Sequence, residues 1–163
     1  ADNIDLATYT LAADASFTAQ PQRVLAVLVA DCLPILLYSS DPVRVAVVHA
    51  GWRGLAAGVI GALISAAKGA KWSAWLGPCI GPCHYIVGDE VKAQFADNLG
   101  FVRDPGSQLW SMDLTQIALM QLEKLNVIQV YGGGLCTSCD ARRFYSYRRD
   151  GQTGRMAALI WLA

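Results

Sequence analysis

The stretch that decides the fold runs from Val24 to His49. It reads Val24-Leu25-Ala26-Val27-Leu28-Val29-Ala30, then Asp31-Cys32-Leu33-Pro34, Ile35-Leu36-Leu37-Tyr38, Ser39-Ser40-Asp41-Pro42 and Val43-Arg44-Val45-Ala46-Val47-Val48-His49. Three short apolar runs rich in β-branched residues, separated by turn-forming residues, read as three strands. None is long enough to cross a bilayer, and Asp31 and Arg44 interrupt the apolar character. An aspartate that breaks an apolar strand is costly unless it is paired or lines a cleft. His49 closes the third strand and is followed by Ala50-Gly51-Trp52-Arg53-Gly54.

Working outward, apolar positions Leu55, Val59, Ile60, Leu63 and Ile64 recur at helical spacing, so a helix is expected over 55–67. Trp72 to Leu76 reads as a fourth strand. It runs into Gly77-Pro78-Cys79-Ile80-Gly81-Pro82-Cys83, which no helix can cross. A helix is expected over 90–99. A second, over Leu114–Leu125, has Asp113 as its N-cap. Val127–Tyr131, Phe144–Tyr147 and Met156–Leu162 read as strands. The last two lack a crossover helix between them, so part of the sheet should be antiparallel. The expected class is α+β, a mixed and partly antiparallel sheet with flanking helices.

The chain has 163 residues, 54% hydrophobic and 16% charged, enough for one folded domain over 1–163. Lys plus Arg equals Asp plus Glu, which argues against a nucleic-acid partner. The start, Ala1-Asp2-Asn3-Ile4-Asp5, lacks the basic and apolar regions of a leader. No membrane partner is expected. Five cysteines, an odd number, fit a reducing compartment, and the cytoplasm is the natural reading.

His49 sits on a strand end beside glycine turns, where a side chain is rigidly held yet reaches a cleft. Cys79 and Cys83 lie in the Gly/Pro-rich loop, with His84 next. Cys83 with His49 could be a nucleophile–base pair or two ligands of a zinc ion. At least one of the two loop cysteines should simply pack in the core. Cys136-Thr137-Ser138-Cys139 is a CxxC pair. A zinc site there needs two more ligands, none stands nearby in sequence, and a structural turn is the reading. Arg142, Arg143, Arg148, Arg149 and Arg155 form a basic cluster, read as an ion-paired loop or an anion site.

The segments Ala30-Asp31-Cys32-Leu33-Pro34, His49 to Gly54, Gly77 to Cys83, Tyr145-Ser146-Tyr147-Arg148-Arg149-Asp150 and Thr153-Gly154-Arg155-Met156 resemble, in order, the YfiH or laccase-domain family. That family is also called multicopper polyphenol oxidoreductase. The resemblance implies an α+β fold sharing a Cys–His arrangement with a toxin deamidase, hence a cysteine-hydrolase label. It also implies a domain lacking the family's N-terminal segment. The activity it implies is purine nucleoside phosphorylase on adenosine, inosine and methylthioadenosine, with adenosine deaminase activity. The partners are then a purine nucleoside and phosphate. A zinc site is implied, carried over to His49 and Cys83, with copper as the alternative metal. The family's third ligand, a histidine downstream, has no counterpart, and that region offers Asp97 and Asn98.

Phosphorolysis needs an anion site, a proton donor for the leaving base and a pocket for the purine. Arg53, Arg148 and Arg149 are the candidates for phosphate. Trp52 or Tyr147 could stack on the base, and Asp31 could bond a base nitrogen or ribose hydroxyl. A multicopper laccase site would need many more imidazoles than the two present. A non-catalytic binding domain is the remaining alternative.

Overall fold

A computed structural model describes residues 13–163; the start of the chain, read above for a leader, lies outside the described residues. The elements in order are β1 (Ala15–Thr18), β2 (Leu25–Val29), β3 (Leu33–Ser40), β4 (Val43–Ala50), α1 (Trp52–Ala56), α2 (Val59–Ala66), β5 (Trp72–Leu76), β6 (Ile86–Val87), α3 (Asp89–Lys92), β7 (Phe101–Arg103), β8 (Trp110–Met112), α4 (Leu114–Lys124), β9 (Gln129–Gly132), α5 (Tyr147–Asp150) and β10 (Met156–Ile160). The main sheet has the order β1-β4-β3-β5-β9. Its pairs are antiparallel except β5 with β9, which α4 makes parallel by crossing over between them. The class is therefore α+β with a mixed sheet, as the strand pattern indicated. Among the described residues no helix is long and apolar enough to cross a membrane.

Strand alternation sorts the central hairpin into two faces. Leu33, Ile35 and Leu37 of β3, with Ala46, Val48 and Ala50 of β4, pack into one core with Leu55, Ile60, Leu63, Ile117, Ala118 and Leu122 of the helices. Val45 and Val47 join Leu25, Val27, Leu36 and Ile160 on the other face, under the antiparallel β2–β10 ribbon. His49 has the parity of Val45 and Val47. The hairpin register sets Pro34 opposite His49 and Leu33 opposite Ala50. Extended by one residue, it brings Cys32 to the level of Gly51.

Four local expectations need correction. The helix over 55–67 is two helices, because Gly58 takes a left-handed conformation at φ 75° between them. The helix over 90–99 shrinks to α3, and its flanks go to the small sheet β6-β8-β7. Phe95 leaves the helical path and packs at a tilt against Phe101, with ring centroids 5.2 Å apart. The strand over 144–147 is absent. Ser146 is buried and its hydroxyl instead accepts from the Arg149 N–H, capping α5. The strand over 127–131 shifts toward β9, with Val127 buried before it.

Asp113 does cap α4, accepting from the Gln116 N–H at 3.0 Å. Asp113→Ala is expected to cost about 1 kcal/mol, read as a lower urea midpoint at unchanged slope; an unmoved midpoint would show the cap to be idle.

Candidate functional site

The end of β4 and the turn before β3 bring His49 and Cys32 together. A Cβ built on Gly51 would lie 2.9 Å from the Cys32 sulfur and 3.8 Å from Cε1 of His49. Glycine is thus needed at position 51 for the thiol to occupy its place beside the imidazole. On the other side, Nδ1 of His49 meets Oδ1 of Asp14 at 3.0 Å, and the His49 backbone N–H donates to the Asp14 carbonyl at 2.7 Å. The imidazole is pushed up to about 9. The hydrogen bond with Cys32 is the main cause and that with Asp14 a further one, and together they outweigh burial, which lowers it. Thiol, imidazole and carboxylate in this order form a charged, oriented proton-carrying group.

Neither Cys32 nor Asp14 was singled out from the sequence as a site residue. The signal lay in the two interruptions, Asp31-Cys32 and His49-Ala50-Gly51, which the antiparallel register places side by side.

Cys83 sits elsewhere. Its sulfur contacts Nδ1 of His84 at 3.1 Å and the sulfur of Cys139 at 3.7 Å. Cys83, His84, Cys136 and Cys139 form one cluster, of which His49 is not a member. The CxxC pair, taken as a bare turn, thus finds two further potential ligands 52 or more positions back in the chain. Cys79 is the core cysteine of its loop. It is 4% exposed, and burial pushes its thiol up to about 11.

Asp31 is a brace. It is buried, in a left-handed conformation at φ 93°. Its Oδ1 accepts from the Thr137 hydroxyl and its Oδ2 from the Arg148 N–H, both at 2.6 Å. Through these two bonds Asp31 ties the β3 turn to the Thr137 and Arg148 loops. Arg149 is similarly committed. Its guanidinium donates to the carbonyls of Thr137, Ser138 and Phe144 and pairs with Asp150. Arg148 donates to the Ile86 carbonyl at 2.9 Å and lies over the Tyr85 ring. These bonds fix the positions of both guanidiniums. Arg53 stacks 4.3 Å above Trp52 in α1, just past His49. Tyr147 is 61% exposed. Asp97, named as a possible metal ligand, pairs with Lys124 at 2.9 Å. A cleft of about 560 Å³ lined by Tyr38, Ser40 and Trp72 lies at the far end of β3 from Cys32.

The donor set can be weighed against a metal. Cys32 and His49 supply two ligands, and among the described residues the one cluster of three or more potential ligands lies elsewhere. Catalytic zinc takes three protein ligands, and the two described donors, Cys32 and His49, do not by themselves complete such a set. Two histidines in 163 residues do not fit several copper centres either.

A family model described as multi-copper polyphenol oxidoreductase laccase matches residues 2–163. A purine nucleoside phosphorylase of Pseudomonas aeruginosa is 43% identical over 159 residues, covering 93% of this chain and 66% of its own length. The purine nucleoside phosphorylase YfiH of Escherichia coli K12 is 43% identical over 157 residues, covering 92% of this chain and 64% of its own. The solved structure of YlmD from Geobacillus stearothermophilus superposes with a TM-score of 0.89 at 32% identity, covering 97% of this chain and 64% of that one. A Neisseria meningitidis protein of the DUF152 family gives 0.85 at 42% identity, covering 91% and 64%. The chain spans 61–66% of the length of the first curated relatives it matches.

Proposed function

The chain belongs to the multi-copper polyphenol oxidoreductase laccase family, the YfiH family, and from that premise we propose that it is a purine nucleoside phosphorylase in which His49 is the proton donor. The observation that carries this reading is the Cys32–His49–Asp14 arrangement, together with the name shared by the relatives. In phosphorolysis a phosphate oxygen bonds to C1′ of the ribose as the bond to the purine nitrogen breaks. The electron pair leaves with the base, and a proton delivered to the purine ring neutralises it. The products are free purine and ribose 1-phosphate.

An imidazole held protonated at neutral pH supplies that proton. Asp14 fixes the ring through Nδ1, and Cys32 keeps the ring charged. Arg53, Arg148 and Arg149 are proposed to hold phosphate, and Trp52 or Tyr147 is proposed to face the base. Inosine, adenosine and methylthioadenosine are the proposed nucleosides. Adenosine deamination would need a metal to activate water. Cys32 and His49 would be two of the residues that hold it, with Asp14 orienting the imidazole.

The test is release of hypoxanthine from inosine that depends on added phosphate, with ammonia release from adenosine followed in parallel. No product from folded protein would favour a binding domain. Phenol oxidation scaling with bound copper would favour the oxidase reading. The rate should also carry the signature of His49. Its imidazolium predominates below about 9 and is half lost there, so kcat/KM for inosine should fall as pH rises through about 9. A profile that stays flat through that region removes His49 as the acid.

A further inference from the structure

We infer that Cys83, His84, Cys136 and Cys139 form a tetrahedral zinc site, separate from the His49 centre, that staples the loop after β5 to the loop after β9. Each residue offers one ligand atom, and the four atoms all lie within 4.8 Å of one another. A tetrahedron with zinc–sulfur bonds of about 2.3 Å and a zinc–nitrogen bond of about 2.05 Å has sulfur–sulfur edges of about 3.8 Å and sulfur–nitrogen edges of about 3.6 Å. The observed Cys83–Cys139 sulfur separation is 3.7 Å. The sulfurs of Cys83, Cys139 and Cys136 stand 3.1, 3.5 and 3.9 Å from Nδ1 of His84. These edges run from 3.1 to 3.9 Å, close to those of a zinc tetrahedron, the remaining ones are no longer than 4.8 Å, and the donor set is one that structural zinc takes.

The surroundings support the ligands. The Gly81 N–H donates to the Cys136 sulfur at 3.1 Å, an outer-shell contact that favours the thiolate a metal requires. Cys79 and Cys136 are joined by a parallel bridge, with Cys79 N–H to the Leu135 carbonyl and Thr137 N–H to the Cys79 carbonyl. The two loops are therefore already in register when the ligands meet. Both also reach Asp31: Ile80 N–H donates to its carbonyl at 2.9 Å, and the Thr137 hydroxyl to its carboxylate. A metal here would fix the segment that holds the Asp31 turn, one residue from Cys32. Binding loads Zn²⁺ and releases the thiol protons, with no redox change.

The experiment uses the reduced protein, freed of metal with a chelator and titrated with Co²⁺ and then Zn²⁺. One equivalent should bind, with the intense thiolate-to-cobalt absorption and visible bands of a tetrahedral site that zinc then bleaches. Cys139→Ser should weaken zinc binding more than about a hundredfold and remove that spectrum. Cys32→Ser should leave the spectrum as it is, and Cys139→His, which retains a ligand, should keep stoichiometric binding. Absence of a tetrahedral cobalt spectrum in folded wild type would overturn the proposal. So would a spectrum lost with Cys32→Ser and kept with Cys139→Ser, or a Cys136–Cys139 disulfide that persists in reductant and excludes metal.

Discussion

His49→Ala is expected to lower kcat/KM for inosine phosphorolysis by about 10²- to 10⁴-fold, the usual contribution of a positioned acid. His49 is the group in which Cys32 and Asp14 together maintain a proton near neutral pH, and both neighbours act on one ring. Alanine removes the proton donor and leaves Cys32 and Asp14 without their partner. The side chain is 33% exposed, so its truncation opens no sealed cavity, and the fold should survive with a circular dichroism spectrum like that of the wild type. Added imidazole should restore part of the rate. Equal rates for variant and wild type would remove His49 from the mechanism.

Asp31→Ala should be the most damaging single change to stability, at about 3–5 kcal/mol. It deletes two hydrogen bonds of 2.6 Å to a carboxylate that is 8% exposed. It also orphans the buried Thr137 hydroxyl and the Arg148 N–H. Buried bonds to a charged acceptor are the strong ones, and leaving their donors unmet adds a desolvation penalty. Asp31 further holds a left-handed backbone at φ 93°, which alanine tolerates less well than aspartate. A melting-temperature drop on the order of 10 °C follows for a chain of this size. Asp31→Asn should lose less, because it keeps one acceptor oxygen. A loss under about 1 kcal/mol for Asp31→Ala would show that the brace is not what joins the β3 turn to the Thr137 and Arg148 loops.

The strands were legible because β-branched runs bounded by Ser, Asp and Pro carry their own signal: β2, β3, β4 and β5 fall where the sequence places them. So does α4 with its Asp113 cap. The segment 144–147 was not legible. Its aromatic residues favour a strand, and only the tertiary bond from the Arg148 N–H to Asp31, far back in the chain, together with the Ser146 cap, makes it a helix start. His49 stood out through its place on a strand end. Its partner did not, because motif order suggested Cys83, whereas hairpin register selects Cys32. For the same reason the CxxC pair looked isolated. Its companions Cys83 and His84 arrive through the parallel pairing of β5 with β9, which no local spacing encodes.

Cys32, and not a distant cysteine, is proposed to control the proton on His49. Proton NMR titration of the two histidines, assigned with His84→Asn, measures it directly. His49 is expected to titrate at about 9 in the wild type and to return toward about 6.5 in Cys32→Ser. Titration of His49 near 6.5 in the wild type, or an elevated value that Cys32→Ser leaves in place, would contradict it.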